Sequence, residues 1–69
     1  MKKYNFDFNP THIFRVYWKE DTSEVVIKFI RSTLYAKVDK SEKDNYLNQL
    51  KEYCLKSRIG IEVHDYEEN

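Results

Sequence analysis

One glycine, one proline and one cysteine occur in 69 residues, and each scarcity closes off a class of chemistry. A lone cysteine forms no internal disulfide, which argues against a stapled secreted scaffold. A single glycine leaves no phosphate-cradling loop or dinucleotide fingerprint. There is likewise no Gly/Ser linker, repeat or low-complexity tract. No zinc-knuckle, HExxH or nucleophile-elbow pattern is present, so no cofactor and no metal are expected. Long apolar runs are missing, and with them any membrane span. The opening MKKYNFDFNP has two lysines but no apolar stretch behind them, unlike a secretory signal. An excess of one charge is missing too, because 12 basic and 12 acidic residues cancel. That balance excludes a simple polyanion binder.

What the chain does have is aromatics, 11 of them, within a 41% hydrophobic and 35% charged composition. This is too apolar for a disordered chain. A domain of this size buries only ~60% of the surface its unfolded form exposes, so its core is marginal. The expectation is one cytoplasmic α+β domain over residues 1–64, followed by an acidic tail, 65–69, that frays.

Turns must be made by Asn, Asp, Ser and Thr, and three such clusters are visible: Asn9-Pro10-Thr11, Glu20 to Ser23, and Asp39-Lys40-Ser41. Between them apolar residues alternate with polar ones. Tyr4, Phe6 and Phe8 share one face of a first segment. Phe14, Val16 and Trp18 share one of a second, and Val25, Ile27 and Phe29 one of a third. Period two predicts strands.

One antiparallel register keeps these sets together. A hairpin closed by Lys19 and Glu24 sets Phe14 against Phe29, Val16 against Ile27 and Trp18 against Val25. A turn at Arg31-Ser32 then sets Phe29 against Leu34, Ile27 against Ala36 and Val25 against Val38. Pairing backwards sets Phe8 against Phe14, Phe6 against Val16 and Tyr4 against Trp18, with Asp7 beside Arg15. A one-residue slip would send every apolar set to the wrong face. A helix over about 21–38 competes, since Asp21 and Glu24 have capping-box spacing. The Val, Ile, Thr and aromatic content of that stretch favours strands.

After Val38 the period changes. Asp39 or Ser41 can cap a helix in which Tyr46, Leu47, Leu50, Tyr53 and Cys54 form one stripe, ending near Arg58. Ile59, Ile61 and Val63 then alternate as a last strand. The predicted fold is ββββαβ: an antiparallel four-stranded meander, one amphipathic helix on one sheet face, and a final strand.

Candidate sites follow from that register. The helix-free face carries Asn5, Asp7, Arg15, Tyr17, Lys19, Val26, Lys28, Ile30, Tyr35 and Lys37, with Arg15, Tyr17, Lys19, Val26, Lys28, Tyr35 and Lys37 as the candidate binding residues. Tyrosines among cations suit either a protein interface or single-stranded nucleic acid. Arg15 opposite Lys28 is a like-charge pair that costs stability unless an anion bridges it or Asp7 neutralises it. Val26, Ile30, Tyr17 and Tyr35 would leave an exposed apolar patch that a partner or a second copy covers. Sheet edges offer strand addition as another route.

Charge is unevenly spread: residues 1–38 sum to +3 and residues 39–69 to −3. Glu62, Asp65, Glu67 and Glu68 make an acidic end, suited to docking on a basic groove. Cys54 reads as a small buried hydrophobe, and His12 and His64 as ordinary surface residues. As an acid–base pair the two histidines would make a small RNase-type toxin.

Small size, a single domain and an AT-rich-type composition resemble the small accessory proteins of bacteriophages and mobile elements. That resemblance is one of composition alone. It implies a non-enzymatic module that binds another protein, or itself, as inhibitor or regulator. Nucleic acid is the secondary expectation for a partner, and a membrane is not expected.

Overall fold

The computed structural model describes residues 2–67. After an extended N-terminal stretch and a 3-10 turn at Pro10–His12 come β1 (Ile13–Lys19), β2 (Glu24–Phe29) and β3 (Thr33–Lys37). A second 3-10 turn, Lys40–Glu42, leads into α1 (Lys43–Leu55), and the chain returns as β4 (Val63–Asp65). The four strands form one sheet in the order β3-β2-β1-β4. β4 runs parallel to β1 and the other pairs are antiparallel, so the sheet is mixed and not a pure meander.

The β1–β2 pairing carries the expected register: Arg15 faces Lys28, Val16 faces Ile27, Trp18 faces Val25 and Lys19 faces Glu24. Only its far end differs. A bulge between Ile13 and Arg15 sets Ile13 against Phe29 and turns Phe14 out to solvent at 70% exposure. The β2–β3 register is displaced by two residues, pairing Ile27 with Leu34 and Val25 with Ala36. A two-residue shift keeps every side chain on its face, so alternation is blind to it. The turn decides it: the Phe29 N–H donates to the Ser32 carbonyl at 2.8 Å, leaving Ile30-Arg31 as the loop.

The first predicted strand is not in the sheet. Tyr4, Phe6 and Phe8 do join the core, but their ring contacts are with Tyr46 and Tyr53 of α1 and, for Phe8, with Phe29 of β2. Phe6 stacks at 5.3 Å on Tyr46 and 5.4 Å on Tyr53, while Phe8 meets Tyr53 at 5.4 Å and Phe29 at 5.1 Å. Helix polar residues hold this strap by its backbone. The Tyr4 N–H donates to Gln49 Oε1 at 2.8 Å, and Asn45 and Gln49 both donate to the Lys2 carbonyl at 2.8 Å. The Tyr53 hydroxyl donates to the Phe8 carbonyl. Alternation marks an extended segment with one buried face and does not name what buries it. Asp7 therefore does not sit beside Arg15 as the pairing implied, and β4 takes the flank of β1 instead.

The core lies between sheet and helix: Val16, Trp18, Val25, Ile27 and Val38 against Tyr46, Leu47, Leu50 and Cys54. A fully buried aliphatic such as Leu50 is worth about 1.5–3 kcal/mol relative to its exposed state. Neither Asp39 nor Glu42 makes a side-chain cap bond, and the helix is entered from the 3-10 turn.

Its C-terminus closes differently, with the Ile59 N–H on the Cys54 carbonyl at 3.0 Å and the Arg58 N–H on the Leu55 carbonyl at 2.9 Å. These are the paired bonds of a Schellman motif, and Arg58 holds its left-handed position at φ 60°. The chain's one glycine, Gly60, stands two residues further on, with open space where a Cβ would lie. Asp65 ends β4, and the Tyr66 N–H donates to the Trp18 carbonyl at 3.0 Å. Asp65 thus closes the sheet, and Tyr66 is tied to β1 by this one backbone bond.

Candidate interaction surfaces

The helix-free face is built on a row across three strands, Tyr17–Val26–Tyr35. Val26 was expected within an exposed patch, yet it is 0% exposed. It is flanked on both sides by tyrosine, and large rings beside a small β-branched residue close water off from it. The apolar patch is correspondingly smaller than alternation implies.

Tyr66 joins this face from the acidic end. Its ring meets Tyr17 edge-on at 5.3 Å, and His64 lies 6.3 Å from Tyr17. Lys28 Nζ stands 5.4 Å from the Tyr17 centroid and 5.9 Å from that of Tyr66, while Lys19 Nζ is 5.4 Å from Tyr66. Cations over ring faces at these distances are attractive. By its position in the sequence Tyr66 falls in the predicted tail. Its signal was the same period of two, since His64 and Tyr66 share the parity that sets them on the tyrosine face.

Arg15 and Lys28 are adjacent across the strands, and no carboxylate of the described residues forms an ion pair with either. Lys37 bends away, its ammonium donating to the Thr22 carbonyl. The acidic residues gather beside β4. Glu62 is largely exposed with Oε2 4.0 Å from His64 Nε2, and Asp65 and Glu67 are exposed. Glu68 lies outside the described residues. The expected site residues thus fall on two adjoining surfaces: a basic, tyrosine-bearing face, and an acidic rim along its β4 side.

The outer side of β3 is the sheet's open edge. Two bonds set its alternation: Phe29 N–H to the Ser32 carbonyl at 2.8 Å, and Val38 N–H to the Ser23 carbonyl at 2.9 Å. Ser32, Leu34, Ala36 and Val38 therefore turn their backbone groups towards the β2 side, while Thr33, Tyr35 and Lys37 turn theirs outwards. Among the described residues no backbone bond reaches those outward groups. Leu34 is 41% exposed and Tyr35 55%, one on each face of this edge.

The opposite edge is β4, only 3 residues long, paired with Val16 to Trp18. Beyond its reach the bulge at Phe14 disturbs β1, and Ile59 to Glu62 line a groove of about 250 Å³ beside it. Bulges and covering segments are the usual ways of blunting an edge.

A larger groove of about 560 Å³ opens at the β2–β3 turn, floored by Phe8 and Phe29 and rimmed by Asn9, His12 and Arg31. His12 lines this groove and His64 the smaller one, so the two histidines lie in separate grooves. Cys54 is fully buried, and burial pushes its thiol above the usual range. Among the described residues no group of three His, Cys, Asp or Glu side chains is placed to hold a metal ion. No helix among them is long and apolar enough to cross a membrane. The chain matches no known protein family, no curated protein and no solved structure.

Proposed function

We propose that the chain is a small protein-binding module of inhibitor or regulator type, and that its contact is the outer edge of β3. The observation that carries this reading is the row of unclaimed backbone groups on Thr33, Tyr35 and Lys37. An extended segment laid along that row gains ladder hydrogen bonds, with Leu34 and Tyr35 supplying side-chain contacts on its two faces. Lysine usually guards such an edge, but Lys37 is engaged with the Thr22 carbonyl. The basic tyrosine face adjoins the edge and favours a partner segment with acidic residues on that side.

The test is affinity capture from the source cell with two baits, the native chain and Tyr35→Pro. The Tyr35 N–H points away from β2, so proline there removes an outward donor while sparing the ladder within the sheet. One stoichiometric protein captured by the native chain and lost by Tyr35→Pro is the expected result. Equal recovery by both baits refutes the edge as the contact.

Single-stranded nucleic acid on the open face is the second reading, favoured by the Arg15–Lys28 juxtaposition beside Tyr17. It requires oligonucleotide binding that falls steeply with salt and is lost when both cations become alanine. No binding at low salt ends that reading.

A further inference from the structure

The β3 edge is self-complementary, and we propose that its resting occupant is a second copy of this chain, paired antiparallel about a two-fold axis at Tyr35. The proposal rests on the edge reading above and names the partner of that edge.

β3 has 5 residues, and its outward-facing members, Thr33, Tyr35 and Lys37, are spaced evenly about its centre. An antiparallel copy centred on Tyr35 sets Tyr35 against Tyr35 of the second copy and Thr33 against Lys37 of the second copy. Each pair is then of the hydrogen-bonded kind, so every outward N–H meets an outward C=O. A slip of one residue would bring outward groups against inward ones, and a slip of two would lose a bonded pair.

The side chains agree with this register. On the open face the two Tyr35 rings become direct cross-strand neighbours, an arrangement that stabilises antiparallel pairs. On the helix face Leu34 lies opposite Ala36 of the second copy, and the two leucines approach diagonally across the axis. The two exposed large hydrophobic residues of the edge, Leu34 and Tyr35, are thereby covered. Lys37 is the one charged residue in β3, and it falls opposite an uncharged threonine. The two copies of Lys37 stand at opposite ends of the pairing, ~13 Å apart along the strands. No like charges on β3 oppose one another. The joined sheet then runs continuously through both copies. A different partner must displace this pairing, so the dimer holds the edge closed until a better segment arrives.

Sedimentation velocity from micromolar to millimolar concentration tests this. The native chain is expected to pass from monomer to dimer as concentration rises. Tyr35→Pro deletes the central pair of hydrogen bonds, and Tyr35→Lys sets two ammonium groups directly opposite at the axis. Each is expected to raise the dimer dissociation constant at least about tenfold. Both sites are exposed, and circular dichroism of each variant checks that the monomer keeps its fold.

A native chain that stays monomeric at millimolar concentration overturns the proposal, as does a dimer that both variants leave intact. The two failures are distinct from that of the edge reading. A monomeric chain whose captured partner is still lost by Tyr35→Pro would keep the edge as the contact and remove only the second copy.

Discussion

Removing the Phe6 ring tests the most unexpected part of the fold, the aromatic strap across α1. Phe6 is half-buried, with ring contacts to Phe8 at 6.0 Å, Tyr46 at 5.3 Å and Tyr53 at 5.4 Å. A fully buried Phe→Ala change costs about 3–5 kcal/mol. Partial exposure, and a strap able to detach locally, bring the expectation for Phe6→Ala down to about 2 kcal/mol. In a domain of this size that is a fall in Tm of roughly 8–16 °C, measurable by circular dichroism.

Gln49→Ala gives an independent reading, because the side-chain hydrogen bonds of Gln49 among the described residues go to the strap's backbone, at Tyr4 and Lys2, and to its own helix neighbour Asn45. Losing those bonds is expected to cost about 1–2 kcal/mol. If residues 4–8 were instead a strand beside β1, Gln49 would be a solvent-facing helix residue and its removal silent. A change under about 0.5 kcal/mol for both variants would refute the docked strap.

Other consequences follow from the same geometry. Arg58 bears a side chain at φ 60°, so Arg58→Gly is expected to raise stability by about 0.5–1 kcal/mol in urea titration, and a loss would contradict the strained cap. Cys54 is enclosed and its thiol pushed up by burial, so thiol reagents should modify it only as fast as the chain opens; immediate labelling of the native protein would contradict that.

Acid should destabilise the fold through two carboxylates. Glu20 is held below its ordinary 4.5 chiefly by the Trp18 indole N–H, and Glu42 chiefly by Asn45 and then by the Tyr4 hydroxyl. A lowered folded value means the stabilisation is whole above 4.5 and drains away as pH falls through the folded values. Urea midpoints should therefore drop on the acid side, and Glu42→Gln should flatten part of that slope.

The parts of the fold legible in the sequence were those that a single physical constraint determines. β1 and β2 share a register because only one pairing brings Val16, Trp18, Val25 and Ile27 onto one face while matching Lys19 to Glu24. The helix announced itself by the stripe from Tyr46 to Cys54. Where two arrangements satisfied the same pattern, the sequence did not separate them. The two-residue displacement of β3 preserves every face, and the strap preserves the alternation of Tyr4, Phe6 and Phe8 while changing its partner.

Parallel pairing of β4 with β1 depends on the path of the chain around the helix, which no local spacing encodes. The helix stop near Arg58 was legible from the end of the stripe, but its left-handed cap was not, because an arginine occupies the place where glycine is usual. On the surface, the basic tyrosine row was legible by parity. The burial of Val26 and the addition of Tyr66 depend on neighbours that parity alone does not supply.

Amide hydrogen exchange along β3 addresses the edge most directly, because adjacent residues there should behave in opposite ways. Leu34 and Ala36 already turn to β2 and should be protected at every concentration. Thr33, Tyr35 and Lys37 should exchange rapidly in dilute samples and slow together as the chain is concentrated. Rapid exchange at those three amides in a millimolar sample, with no change on concentration, would contradict pairing through this edge.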